Sequence, residues 1–388
     1  LTLGFGLMAV GVFFLCYYFV PQFNWELALK IAPAAGLSLL GGEVLYFAAK
    51  PEKWKYDFLS VFYCLLLMGV CLCVGALPMM LDRFGPDIVA RERIVVHNAF
   101  QPEEMRYVCQ LPSGAGLSVN RLALESDLII SEGFIEPHFF AGFSGGRKSI
   151  LPGICSQETV NENHSAKAIA SPLATTGVLH GNPIHEDMAY AARKVGLAFI
   201  LNVATDAEKH IVAAFAGDCI QAHAQGCAFV SDMCGVDKVT SDIVITTNSG
   251  YPLDQNLYQT PKGVSTAAAC AGENGVLILG ASLCDGIGGT NFEKLMRLGS
   301  PQIIKDTIEA IPPKESIPEQ WCAQIYARLL LQHPIIIVTQ HMDPRELEAM
   351  GFLAATSFDQ ALEMAFQLKG PDASVTVIPD GVSVIVRS

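Results

Sequence analysis

Short runs of β-branched residues alternate with amphipathic stretches through most of the chain after residue 81, and this alternation constrains the fold more than any other feature. The runs are apolar on both faces, which is typical of parallel strands covered by helices on both sides. The pattern therefore predicts an α/β fold with mostly parallel sheets flanked by helices. The predicted strands are Arg93–His97, Asp127–Ser131, Ala198–Val203, Asp242–Thr247, Gly275–Gly280, Pro334–Thr339 and Ser374–Ile378. The predicted helices are Pro183–Val195, Ala214–Asp232, Trp321–Leu331, Asp343–Gly351 and Phe358–Leu368, the last with Ser357 as its N-cap.

The first 81 residues differ from the rest because they are nearly free of charge. Residues 1–20 and 58–81 carry no charged side chain, and residues 27–49 are apolar but interrupted by Lys30 and Glu43. The uncharged runs are long enough to cross the hydrocarbon core of a bilayer as helices. They lack the basic front and small-residue cleavage site of a signal peptide. We therefore expect transmembrane helices at about 1–20, 27–49 and 58–81, preceding the α/β part and placing the chain in a lipid bilayer as a multi-pass protein.

The charges that flank these runs leave the orientation open. Lysines follow the second run and arginines follow the third, and each group favours the cytoplasmic side, although both flanks of one helix cannot lie on the same side. We expect the part after residue 81 to be cytoplasmic, and the whole chain to be cytoplasmic if residues 1–81 are a misassigned segment. The charges are those of Lys50, Lys53, Lys55, Arg83, Arg91 and Arg93.

The formal net charge of −13 lies entirely after residue 81, because the first 81 residues hold four bases and four acids. An acidic protein is a poor partner for nucleic acid, so we expect none. The cysteines after residue 81 show no C-x-x-C spacing. Zinc-ribbon and thioredoxin-like sites are therefore excluded, and the scattered thiols fit a reducing compartment.

The densest polar and glycine-rich signal is the segment EPHFFAGFSGGRKSILPG, residues 136–153. Its glycines allow positive φ and a close approach of a ligand to the backbone, and Ser144 with adjacent N–H groups could hold a phosphate. His138 is a candidate acid or base, and Lys148 a candidate counter-charge or nucleophile. The segment matches neither the phosphate-binding P-loop nor the dinucleotide fingerprint. A glycine-rich turn with a purely structural role is the alternative.

A second polar cluster, Tyr258, Gln259 and Lys262, follows a predicted strand in TTNSGYPLDQNLYQTPKG, residues 246–263. Open α/β sheets place ligands at the carboxyl ends of their strands. We expect two lobes, residues 82–235 and 236–388, with this cluster facing the glycine-rich segment and the strand near Ser374–Ile378 returning to the first lobe. His164 lies beyond local helix contact of Lys148, and a lone histidine is commonly a surface or hydrogen-bonded residue.

From about Asp82 to its end the chain resembles the nickel-dependent lactate racemase family, whose members use a nickel-pincer nucleotide. The resemblance covers about 307 of 388 residues. It rests on the glycine-rich segment with a following histidine, on HGNPIHEDM, and on the distant YQ..K. Further matching motifs are DRFGPDIVARERIVVHNAF, VNRLALESDLIISEGFI, EQWCAQI and VTVIPDG.

This resemblance implies a role for each matching residue. Lys148 would hold the cofactor, the pyridinium-3-thioamide-5-thiocarboxylic acid mononucleotide, through a thioamide, and His164 would complete the shell of its nickel. His138 would be one of two histidines that exchange protons with the substrate hydroxyl. Ser144, Gly145 and Gly146 would line the cofactor, while Gln259 and Lys262 would place the substrate between Tyr258 and Trp321. The partners implied are a small 2-hydroxy acid and the proteins that synthesise the cofactor.

The reaction implied is racemisation or epimerisation of a lactate-like 2-hydroxy acid by proton-coupled hydride transfer. Members of the family also carry a D-x-T-R-P motif with an arginine for the substrate carboxylate and a G-x-H-R motif with the second histidine. Residues 1–81 stand in the place of these motifs, so we expect impaired turnover. The alternatives are a membrane-anchored nickel- or nucleotide-binding module without turnover, or the product of a gene fusion.

Overall fold

The structure, a computed structural model, describes residues 80–387. Packing divides the chain into two compact units, Leu1–Val96 and His97–Ser388. The expected transmembrane helices lie outside the described residues, apart from the last two positions of the third. Within residues 80–387, no helix has both the length and the apolar character needed to cross a membrane. The expected multi-pass membrane location and its bilayer partner are corrected on this finding.

Strands and helices are interspersed along the described part of the chain. The strands are β1 Met105–Gln110, β2 Gly116–Asn120, β3 Ile129–Phe134, β4 Pro137–His138, β5 Gly142–Phe143, β6 Leu197–Thr205, β7 Ile211–Gly217, β8 Gly235–Asp237, β9 Ser241–Thr247, β10 Ala271–Gly280, β11 Ile335–Val338, β12 Leu353–Ala355, β13 Val375–Ile378 and β14 Ile385–Arg387. The α-helices are α1 Pro86–Arg91, α2 Arg121–Leu124, α3 Gln157–Asn163, α4 Ala166–Ile169, α5 Pro183–Val195, α6 Gln221–Cys234, α7 Pro261–Cys270, α8 Thr290–Met296, α9 Pro301–Glu309, α10 Gln320–Leu330, α11 Pro344–Ala349 and α12 Phe358–Lys369. Short 3₁₀ helices occupy Pro102–Glu104, Gly146–Ser149, Leu257–Gln259 and Pro313–Glu315.

A five-stranded, fully parallel sheet organises the second half of the unit that begins at His97. Its strand order is β12-β11-β10-β9-β13. All of β11 is buried, and β10 buries its last apolar run between Val276 and Leu279. Strands of this kind need helices on both faces, and α7, α10 and α12 pack on or around this sheet. The predicted α/β class with mostly parallel sheets is confirmed.

A smaller sheet of order β3-β6-β7 lies in the first half of the same unit. β3 runs parallel to β6, whereas β7 runs antiparallel to it. The chain leaves the carboxyl end of β3 at Phe134 and enters the glycine-rich segment directly. The sheet therefore anchors that segment at the edge where parallel strands present their ligand sites.

The structure corrects three expectations about individual elements. Arg93–His97 forms no strand. The helix expected at Ala214–Asp232 begins only at Gln221, because residues 211–217 pair with β6. The strand at residues 375–378 does not return to the first lobe, since it pairs with β9 in the five-stranded sheet. The helix cap was predicted correctly, as the Ser357 hydroxyl accepts a hydrogen bond from the backbone N–H of Gln360. The lobe boundary at residue 235 stays a prediction.

Candidate active site

The turn of the glycine-rich segment can be built only from glycine at two consecutive positions. Gly145 has φ 73°, and a Cβ there would lie 2.8 Å from the carbonyl oxygen of Phe134. Gly146 has φ 52°, and a Cβ there would lie 2.7 Å from the ring of His223. The left-handed region disfavours residues with a Cβ even in open space. The 3₁₀ helix Gly146–Ser149 follows at once and positions Lys148.

Arg147 is fully buried at the centre of this turn. Its guanidinium donates to the carbonyl oxygens of Ala141 (2.8 Å), Ser144 (3.2 Å) and Gly145 (3.1 Å). It also contacts Nδ1 of His185 (3.0 Å) and Nε2 of His223 (3.0 Å). Burial lowers the pKa of Arg147 to about 10, so the group stays charged at neutral pH. The same burial, with the charge of Arg147, lowers the pKa of His185 to about 4 and that of His223 to about 3, which keeps both imidazoles neutral.

Ser144 closes the segment on itself. Its hydroxyl accepts from the backbone N–H of Glu136 (2.8 Å) and donates to the carbonyl oxygen of Phe134 (3.1 Å). The backbone N–H of Gly146 donates to Oδ1 of Asn202 on β6 (2.7 Å). The predicted role of Ser144, Gly145 and Gly146 in cofactor binding stays a prediction, and in this structure these groups shape the turn.

His138 and His164 lie on the same aromatic ring. The imidazole of His138 meets Phe140 edge to face with centroids 4.6 Å apart, and that of His164 meets it similarly at 5.0 Å. The other neighbour of His164 is Trp321, at 5.0 Å. Residues far apart in sequence are thus brought together around Phe140, as the glycine-rich segment and His164 were predicted to be.

His164 is the buried residue that ends α3, and its imidazole is not charged. Burial, reinforced by the charge of Lys148, lowers its pKa to about 3. Nδ1 of His164 is sealed from solvent and has no hydrogen-bond partner among the described residues. A neutral, unpartnered imidazole is the form in which histidine binds a divalent metal such as nickel. The residue therefore fits the metal role that the resemblance implies.

Lys148 is partly buried, and its amine has an unusually low pKa. Burial, with the charges of Arg147 and Lys262, lowers that pKa to about 7. A substantial fraction of neutral amine at neutral pH is what a nucleophilic or covalently linked lysine requires. The charge of Lys148 acts on both His138 and His164, so the three groups share one pocket. This chemistry fits covalent attachment of a cofactor.

The segment at residues 246–263 supplies the opposite wall. The indole N–H of Trp321 donates to the hydroxyl of Tyr258 (3.1 Å), and burial raises the pKa of that phenol. Lys262 is partly buried and without an ion pair among the described residues, and its charge lowers the pKa of His138. Gln259 lies in the 3₁₀ helix whose backbone Asn256 caps, and its side-chain amide makes no hydrogen bond within residues 80–387.

The residues behind the pocket, Arg147, Asn202 and His223, were not predicted from the sequence. Arg147 stands beside Lys148 in GGRK, but its sequence position gives no sign that it is buried. Asn202 and His223 lie 56 and 76 positions from their partners in the turn. An asparagine within the apolar run of β6 was the one available signal, since buried polar groups are normally hydrogen-bonded.

Comparison with known proteins agrees with this geometry. Residues 80–177 match the lactate racemase N-terminal domain, and residues 236–386 match the lactate racemase C-terminal domain. The chain is 48% identical over 309 residues to the lactate racemase of Thermoanaerobacterium thermosaccharolyticum, covering 79% of this chain and 72% of that protein. It is equally similar to the lactate racemase of Lactiplantibacillus plantarum, where 73% of that protein is covered.

Two solved structures are similar. The lactate racemase apoprotein from T. thermosaccharolyticum superposes with TM-score 0.79 at 47% identity, covering 81% of this chain and 75% of that one. A protein from Thermotoga maritima superposes with TM-score 0.55 at 19% identity, covering 75% of this chain and 77% of that one, which is a likeness of fold alone.

Proposed function

Because the chain belongs to the lactate racemase family, we propose that this lactate racemase-like enzyme interconverts the enantiomers of a small, lactate-like 2-hydroxy acid at a nickel-pincer nucleotide. The observation that carries the proposal is the convergence of Lys148, His164 and His138 around Phe140. Each has the protonation state that its role needs, since both imidazoles are neutral and the amine of Lys148 titrates near neutrality.

Lys148 and His164 are the residues that would hold the cofactor, the amine through a covalent bond and the imidazole as a nickel ligand. When bound, the cofactor supplies an acceptor for the hydride that leaves Cα of the substrate. The backbone of the glycine turn lies directly beside Lys148, and Arg147 fixes that turn from behind through three carbonyl oxygens. The chain therefore presents its anchoring groups from a rigid support, which favours precise placement of a bound group.

The substrate would lie between this turn and the segment at residues 246–263. The ammonium of Lys262 is placed to attract the carboxylate of a hydroxy acid, because it is partly buried and unpaired among the described residues. The amide of Gln259 can donate to the same group. The hydrogen-bonded pair of Tyr258 and Trp321 closes the wall beside His164 and excludes water. His138 would contact the oxygen on C2 of the substrate.

We also propose that turnover is impaired. A reversible inversion needs proton-transfer groups on both faces of a planar 2-oxo acid, and each contributes about 10²–10⁴-fold. His185 and His223 are committed to Arg147, which leaves His138 as the free imidazole beside His164 in the part of the pocket that the structure describes. Arg147 itself spends its donors on the turn and cannot clamp a carboxylate. The same observation favours a second candidate, a nickel- or nucleotide-binding protein without turnover.

The test is to load the full chain with the nickel-pincer nucleotide, add each enantiomer of lactate separately, and follow the chirality of the product. We expect slow racemisation, at least tenfold below the T. thermosaccharolyticum enzyme. Lys148→Ala should abolish covalent attachment as seen by mass spectrometry, whereas Lys167→Ala, at an exposed lysine, should not. His164→Ala should lose nickel, and His210→Ala, at an exposed histidine, should keep it. Attachment without any inversion would establish the binding protein in place of the enzyme.

A further inference from the structure

The imidazole of His138 is hydrogen-bonded on one side only. Its Nδ1 accepts from the backbone N–H of Ala141 at 3.2 Å. A neutral imidazole has one protonated and one unprotonated nitrogen, so a nitrogen that accepts leaves the proton on the other. The proton of neutral His138 is therefore on Nε2. Among the described residues Nε2 has no hydrogen-bond partner, and it is not one of the unpartnered atoms sealed from solvent.

His138 is held in the neutral form by its surroundings. Burial and the charges of Lys148, Lys262 and Arg147 lower its pKa well below the ordinary value. Protonating Nδ1 would also turn its N–H toward the N–H of Ala141, which would replace a hydrogen bond by a repulsion. Two independent effects thus oppose the imidazolium.

Ala141 cannot easily move away to release Nδ1. It is fully buried, and its carbonyl oxygen accepts from Nη2 of Arg147 at 2.8 Å. The carbonyl oxygen of the preceding residue, Phe140, accepts from Nδ2 of Asn182 at 2.9 Å. The ring of His138 is itself packed against Phe139, with centroids 5.1 Å apart. Backbone and ring are therefore fixed together.

We propose that His138 acts on the substrate as a neutral Nε2–H donor, and that the ligand it recognises best is the carbonyl oxygen of a planar 2-oxo acid. A carbonyl oxygen only accepts, so it complements this N–H directly. A neutral imidazole that polarises a carbonyl is an established catalytic device. No proton leaves His138 in this interaction, since the bond formed is a hydrogen bond.

The proposal rests on the proposed function only in placing His138 beside the C2 oxygen. Its consequence is an asymmetry between the two directions of the reaction. In this tautomer Nε2 cannot accept the proton of a 2-hydroxy acid, whereas the 2-oxo acid is bound and polarised. The protein should therefore hold the oxidised acid more tightly than the reduced one.

The tautomer is tested by nitrogen NMR of the cofactor-free full chain with ¹⁵N-labelled histidine near pH 7, with the signals assigned by their loss in His138→Asn. We expect a pyrrole-like Nε2 and a pyridine-like Nδ1 for His138. A protonated Nδ1, in either the neutral ring or the imidazolium, overturns the proposal. This readout needs neither cofactor nor turnover, so it is separate from the fate of the proposed function.

Ligand preference is tested by binding of pyruvate and of lactate to the same protein. Glutamine places an amide N–H near the position of Nε2 and asparagine does not, so they form a matched pair. We expect pyruvate to bind more tightly than lactate, His138→Gln to keep that preference within threefold, and His138→Asn to lose about tenfold in pyruvate affinity, as for one hydrogen bond of about 1.4 kcal/mol. Equal affinity of the wild type for both acids overturns the proposal. Binding of neither acid overturns the placement of the substrate, and with it the proposed function.

Discussion

The two walls of the pocket use their polar groups in opposite ways. In the glycine-rich segment at residues 136–153, the polar side chains behind the turn are spent on the backbone, with Arg147 fully buried among carbonyl oxygens and neutral histidines. In the segment at residues 246–263, the backbone is held by neutral amides, those of Asn248 and Asn256, and Lys262 and Gln259 are left unpaired within residues 80–387. The first wall is thus built for rigidity, and the second keeps free groups for a ligand. Substitutions in the first should therefore act on folding, and those in the second on binding.

Replacing Arg147 should break this comparison most severely. Arg147→Met leaves three carbonyl oxygens and two imidazoles without their donor, and unsatisfied buried groups cost about 1–3 kcal/mol each. Release of the buried charge offsets part of this, so we expect a net loss of about 4 kcal/mol in the free energy of unfolding. Urea denaturation measures it. Arg193→Met, at an exposed arginine, should change stability by less than about 0.5 kcal/mol. A loss below about 1 kcal/mol for Arg147→Met would show that the turn holds without its buried charge.

The turn itself is tested by Gly146→Ala. The left-handed φ of 52° and the clash with the ring of His223 together should cost about 3 kcal/mol. Gly196→Ala is the matched control, because Gly196 also has a left-handed φ, 86°, with nothing within 4 Å of its Cβ. It should cost only about 1 kcal/mol of backbone strain. Equal losses for the two variants, measured by urea denaturation, would mean that close packing on His223 contributes nothing.

What the sequence could predict follows the same division. The positions of six strands and the residues of the pocket could be found, because apolar runs and spaced motifs are local signals. The network behind the turn could not, since its partners meet only through the tertiary fold. Arg93–His97 illustrates the limit from the other side. Its β-branched residues predict a strand, but a strand also requires a neighbour to pair with, and the structure gives this run none among residues 80–387.

Acid should weaken the first wall before the second. The pKa of His223 is lowered in the folded chain to about 3 by burial and by Arg147, whereas in the unfolded chain it is about 6.5. The unfolded state therefore binds more protons between these values, and stability falls as pH decreases below about 6.5. We expect a loss of about 2 kcal/mol from His223 between pH 7 and pH 5, measured by urea denaturation across that range. His223→Gln should flatten this slope, whereas His210→Ala, at an exposed histidine, should leave it unchanged. A slope that survives in His223→Gln would place the acid-sensitive group elsewhere.

The smallest effect is expected in the second wall, and it should leave folding untouched. Lys262 has no ion pair among the described residues, and burial lowers its pKa, so its charge costs stability and contributes nothing to the fold. Lys262→Gln should therefore leave the urea midpoint unchanged or raise it slightly. The same variant should weaken binding of a 2-hydroxy or 2-oxo acid about tenfold, because one charge-assisted hydrogen bond to a carboxylate is worth about 1.5 kcal/mol. Lys238→Gln, at an exposed lysine, controls for the general loss of positive charge. If Lys262→Gln instead lowered the urea midpoint while acid binding stayed as in the wild type, Lys262 would belong with the groups that hold the fold, and the division between the two walls would be wrong.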